Sequence, residues 1–100
     1  MLYMILCHDS QDGLSRRASA RPDHLAYLAQ LQDAGRLVLA GPLPRVDGED
    51  PGNTGYRGSL IVAEFESLAA AERWAEQDPY NLAGVFSHVD ISPFKRVLPA

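Results

Sequence analysis

The apolar positions of this chain fall into short runs and one helical stripe, separated by clear punctuation. Leu2 to His8 (LYMILCH) is a continuous apolar run rich in strand formers, and its length predicts a strand. Asp9 to Ala20 is polar and contains Gly13, which predicts a loop with at most a turn of helix around Leu14–Arg17. Leu25, Leu28 and Leu31 then recur at helical spacing, and Ala34 continues the stripe. Pro22 suits the first position of that helix, where a missing N–H costs nothing. Gly35 suits the position just past its end, where φ is positive. The first helix is therefore expected over Pro22–Ala34. A second apolar run, Arg36–Gly41, closes at Gly41-Pro42, and the Pro/Gly-rich, aperiodic stretch Leu43–Arg57 predicts a long mobile loop. Gly58–Phe65 is a third strand. Ser67 caps a second helix ending near Gln77, with Leu68, Ala71, Trp74 and Ala75 as its buried face. Asp78-Pro79 opens a short helix that Gly84 closes. In the last strand, Phe86–Val97, Val89 and Ile91 alternate with His88, Asp90 and Ser92.

The order β-α-β-β-α-β predicts an α+β, ferredoxin-like fold: a four-stranded antiparallel sheet with both crossover helices on one face. The first and third strands carry apolar residues toward both faces, Tyr3, Ile5 and Cys7 against Leu2, Met4 and Leu6, and Ile61 and Ala63 against Leu60 and Val62. Two helices cover one face only. A second copy of the sheet is the simplest cover for the other, so a homodimer is expected.

Composition narrows the function classes. One hundred residues predict one domain over residues 1–100, and 46% hydrophobic with 22% charged residues excludes a disordered tail. A formal charge of −4 disfavours nucleic acid as a partner. The single cysteine, Cys7, excludes a disulfide framework and a multi-thiolate zinc site. No apolar run is long enough for a membrane span. The N-terminus lacks a basic region and a cleavage site, so a cytoplasmic protein is expected.

The stretches MLYMILCHD, RPDHLAYLAQLQDAGRLVLAGPLP, GYRGSLIVAEFESLAAAERWAEQDPY, AGVF and ISPFKRV, in this order over nearly the whole chain, resemble the YciI family of YCII-related domains. The resemblance implies a dimeric α+β barrel of ferredoxin-like protomers and kinship with muconolactone isomerase-type proteins and a lactone dehalogenase. It also implies a site centred on a histidine and an aspartate. Carried over by motif, the histidine is His24 of RPDHL and the aspartate is Asp78 of QDPY, with Asp9 as an alternative partner. Asp9, Arg21, Ser59, Gly41 and Pro42 are the expected substrate contacts. His8 before Asp9 and Leu60 after Ser59 depart from the family pattern.

Each candidate also has a structural reading. Near the start of its expected helix, His24 would feel the positive end of the dipole, which lowers an imidazole pKa and suits a general base; otherwise it is a surface histidine. Asp78 before Pro79 is an N-cap signature, and one carboxylate oxygen could cap while the other orients an imidazole. His8 and Asp9 point to opposite faces of a strand and form no dyad. The three histidines show neither i, i+4 nor HExxH spacing, so no metal is expected. Cys7 reads as a buried, inert thiol. Ser59 lies in no GxSxG elbow. Arg16, Arg17 and Arg21 read as a solvated basic loop, or, at Arg21, as an anchor for a substrate carboxylate. Tyr80 packs or lines the pocket. The chain is thus expected to be a cofactor-independent enzyme doing His/Asp acid–base chemistry on a small acidic metabolite, as a lactone isomerase or a dehalogenase-like lyase. The alternative is a non-catalytic, ligand-binding dimer.

Overall fold

Strand β1 (Leu2–Asp9) buries Tyr3, Ile5 and Cys7 and leaves the residues between them half-exposed, the period of two expected of a pleated strand. The computed structural model describes all residues, Met1–Ala100. After β1 come α1 (Gly13–Asp33), β2 (Leu37–Pro44), β3 (Tyr56–Glu64), α2 (Leu68–Glu76), the single-turn α3 (Pro79–Leu82) and β4 (Phe86–Phe94), with a short 3-10 turn at Gly52–Thr54. The sheet order is β2-β3-β1-β4, with antiparallel neighbours throughout. β1 and β2 both run opposite to β3 and so are parallel to each other, bridged by α1. β3 and β4 are related in the same way through α2 and α3. This is the ferredoxin-like α+β fold.

The core lies between the helices and one sheet face. Tyr3, Ile5 and Cys7 of β1 and Ile61 and Ala63 of β3 meet Leu28 and Leu31 of α1 and Ala71 and Ala75 of α2. Tyr27 of α1 stacks on Trp74 of α2 at 4.8 Å and donates its hydroxyl to the Trp74 carbonyl oxygen, joining the two helices. The opposite face of the sheet carries no helix, and Leu39 there is 48% exposed.

The expected boundaries need three corrections. First, α1 begins at Gly13, not Pro22; the stretch Asp9–Ala20 is mostly helix, and Pro22 lies in the helix interior. An interior proline loses a hydrogen bond and costs about 3 kcal/mol. The turns before it are held by tertiary contacts: Gly13 sits so close to Asp9 that a Cβ would lie 2.6 Å from Asp9 Oδ2, and Arg17 is buried. Second, the strands extend farther into the Pro/Gly-rich stretch, to Pro44 and from Tyr56, and Pro51 and Gly55 between them are buried. Third, β4 ends at Phe94, not Val97.

Candidate functional site

Arg17, Arg21, His24, Leu28 and Leu31 recur at intervals of four and three, so they form one stripe of α1. Its C-terminal half enters the core. Its N-terminal half is polar and faces a cleft above β2 and β3. His24 therefore lies in the middle of α1, away from the helix start, and the dipole argument for a lowered pKa does not apply to it.

His24 Nδ1 lies 2.7 Å from Asp78 Oδ1, with the two side chains 8% and 2% exposed. Asp78 caps α3, and the same Oδ1 accepts the Tyr80 backbone N–H at 2.9 Å. One oxygen thus does both jobs, rather than one each. Tyr80 follows from the same turn, and its ring stacks on the imidazole at 3.7 Å between centroids and 5° between planes. A carboxylate on Nδ1 selects the tautomer with its proton there and leaves a lone pair on Nε2, which has no partner within the chain.

Asp9 does not reach His24. Its carboxylate is 1% exposed and takes both arms of Arg17, Nε at 2.9 Å and Nη2 at 2.7 Å. It lines neither part of the cleft, and His24 takes Asp78 as its partner while Asp9 takes Arg17. Arg17 was expected in a solvated loop and is instead buried. Its Nη2 also donates to the Gly58 carbonyl at 3.0 Å and to Ser59 Oγ at 2.9 Å. The guanidinium carbon lies 4.8 Å from the Tyr56 ring centre and 5.3 Å from that of Tyr80. Extending the Leu31–Leu28 stripe backward through His24 was the signal that could have found it.

Arg17, Arg21, His24, Ser59 and Tyr80, with Gly41 and Pro42 on the β2 rim, line a cavity of about 130 Å³. A neighbouring cavity of about 180 Å³ shares Arg17, Arg21, Pro42 and Tyr80 and adds Leu14 and Tyr56. The two form one cleft. Its walls carry two arginines, an imidazole and a hydroxyl, while both nearby carboxylates are turned inward and bonded. The cleft is a cationic spot on a chain of net charge −4. Burial, the larger effect, pushes the Tyr80 hydroxyl pKa up, against the pull of Arg17 and Arg21, so the phenol stays protonated at neutral pH. Burial, reinforced by the charge of Asp78, pushes the Cys7 thiol up to about 12, which leaves it no role as a nucleophile. Two larger grooves, of about 520 and 560 Å³, lie elsewhere and hold no histidine.

Residues 1–95 match the YCII-related domain family. The chain belongs to that family. It is 56% identical over 97 residues to Protein YciI of Escherichia coli, covering 97% of this chain and 99% of that one. An uncharacterised protein of Haemophilus influenzae is 47% identical over 97 residues, with the same coverage. Among solved structures, 5-chloro-2-hydroxyhydroquinone dehydrochlorinase of Burkholderia phenoliruptrix, in complex with 2,5-dihydroxybenzoquinone, superposes with a TM-score of 0.84 at 28% identity, covering 97% of this chain and 96% of that one.

Proposed function

We infer that this YCII-related protein is a cofactor-independent enzyme that moves a proton on a small, acidic, oxygenated ring, with loss of a leaving group as its characteristic step. The observation that carries this is the 2.7 Å bond from His24 to buried Asp78, which leaves Nε2 as a base in a cleft with two arginines. Likeness to a dehydrochlorinase over nearly the whole chain supports the reaction class.

Arg21, exposed at the rim, and the guanidinium of Arg17 in the cavity wall receive the anionic oxygens of the substrate. Nε2 of His24 takes a proton from an O–H or acidic C–H. The halide leaves from the keto tautomer, whose halogen-bearing carbon is sp3: the freed electron pair moves through the ring to form a new double bond to that carbon, and the carbon–halogen bond breaks with the halide leaving as an anion. The imidazolium is stabilised by Asp78 and returns its proton to water, so the net change is loss of HX. Ser59 and the Gly41-Pro42 rim bound the ring, and the small cavity limits the substrate to about one ring in size. The helix-free sheet face supports a homodimer as the working form.

The test is chloride release from 5-chloro-2-hydroxyhydroquinone, alongside binding of 2,5-dihydroxybenzoquinone by thermal shift. Wild-type protein is expected to release chloride, and His24→Ala to lower kcat/KM by about 10²–10⁴-fold while remaining folded. Asp78→Asn keeps the cap, since Asn caps well, but loses the carboxylate that fixes the imidazole, and is expected to fall comparably. Binding without chloride release, equally tight in His24→Ala, would reject acid–base catalysis and leave the ligand-binding reading.

A further inference from the structure

The pairing of β1 with β4 builds a second cluster on the helix-free side of the sheet. His8 and His88 are direct cross-strand partners, and Asp90 lies two residues along β4 on the same face. Cys7 points into the core, so His8 points away from it and away from the His24 cleft. His8 Nε2 lies 2.9 Å from Asp90 Oδ2. The two imidazoles stack with centroids 4.0 Å apart and planes 9° from parallel. Ser87, opposite the register shift after His8, reaches both sides: its hydroxyl lies 3.3 Å from the His8 carbonyl oxygen and 3.1 Å from His88 Nδ1. One ligand atom from each of His8, His88 and Asp90 lies within 4.8 Å of the other two.

We propose that His8, His88 and Asp90 form a binding site for a divalent transition metal of the zinc type. Two imidazoles and one carboxylate are a donor set suited to zinc, nickel or copper rather than to magnesium or calcium, which take oxygen ligands. All three side chains stand on two hydrogen-bonded strands, so their backbones are already placed. Ser87 holds His88 by Nδ1 and leaves Nε2 for the metal, the kind of outer contact that orients metal-binding histidines. Donors about 2.0–2.1 Å from a tetrahedral zinc stand about 3.3 Å from one another, so the His8–Asp90 pair opens slightly from 2.9 Å while the wider separations, up to 4.8 Å, close. The parallel rings splay to aim both lone pairs at one point, a side-chain rotation that exposed residues make without moving the strands. The cluster stands on the helix-free face expected to meet a second copy, at the β4 edge of the sheet, and water reaching that edge completes the coordination. The sequence spacing concealed this set because His8 stands 80 or more positions before His88 and Asp90 and meets them only across the β1–β4 ladder.

The experiment uses the full chain without an affinity tag, stripped with a chelator and titrated with zinc chloride by calorimetry, with cobalt absorption as a second readout. One zinc per chain is expected, with a cobalt spectrum of low coordination number. His88→Gln and Asp90→Asn, both at exposed positions, are each expected to weaken binding by at least about tenfold, and Ser87→Ala by about tenfold or less. His24→Gln is expected to bind zinc as the wild type does. Absence of saturable zinc binding, or binding that survives both His88→Gln and Asp90→Asn, overturns the proposal. So does binding abolished by His24→Gln alone, which would move the metal to the other cleft.

Discussion

Cys7 shows how a single residue's surroundings become a property of the whole fold. It lies in β1, under α1 and α2, and burial first and the negative charge of Asp78 second push its thiol up to about 12 from an ordinary 9.0. The folded chain therefore keeps this proton over a range in which the unfolded chain has lost it. Between about pH 9 and 12 the unfolded state binds fewer protons, so stability falls as pH rises, by about 1.4 kcal/mol per pH unit for this one group; below pH 9 its contribution is fully present. Tyr27 and Tyr80, both raised chiefly by burial, add to the loss at the upper end of the window. Urea denaturation between pH 8 and 11 should show this slope in the wild type and a shallower one in Cys7→Ala. Equal slopes would mean that the thiol is not the group responsible. The burial of Cys7 could be read from its place in an apolar strand. Its coupling to Asp78 could not, because that contact arises between β1 and a turn more than seventy residues later.

At the scale of elements, the extension of α1 back to Gly13 is the feature that organises the site. Local signals favoured a start at Pro22, and they failed because the first turns are held from outside the helix. Arg17 joins α1 to Asp9 at the end of β1 and to Gly58 and Ser59 in β3. Gly58 permits this convergence, since a Cβ there would overlap the Cys7 carbonyl oxygen of the neighbouring strand. Arg17→Met removes one partner of a buried ion pair and strands Asp9 without a counter-charge, so a loss of about 3–5 kcal/mol is expected. Adding Asp9→Asn should recover part of it, because the stranded group is then neutral. Both effects are read from urea midpoints, and a loss below about 1 kcal/mol in Arg17→Met would show that the pair does not hold the helix. The weak amphipathic pattern of α1 has the same origin: its inward face carries an arginine and a histidine among the leucines, and hydrophobic periodicity sees only the leucines.

The whole molecule leaves one sheet face without helices. Met4, Leu6 and Leu60 stand on it half-exposed, and Val38, Leu39 and Phe94 are exposed at its end and margins. A large exposed apolar patch marks a site of association, and a two-fold pairing of sheets uses the same residues on both copies. Light scattering at micromolar concentration is expected to give twice the chain mass, and Leu6→Lys to shift the population toward monomer with its helical content unchanged. A wild-type chain that stays monomeric at that concentration would count against sheet-to-sheet pairing.

The element order, the two-sided strands, the caps at Ser67 and Asp78 and the candidate pair His24 and Asp78 were all legible along the chain. Each depends on neighbours within a few positions, on a period of two or 3.6, or on a motif carried by family resemblance. Tertiary structure alone decided three things: the true start of α1, the pairing of Asp9, the alternative partner of His24, with Arg17 instead, and the meeting of His8, His88 and Asp90. In each case the deciding contact is a cross-strand or helix-to-sheet approach between residues that local pattern cannot bring together. Its energy comes from ion pairing and burial in three dimensions, and the same residues read in order look like a loop, a solvated charge and an isolated histidine.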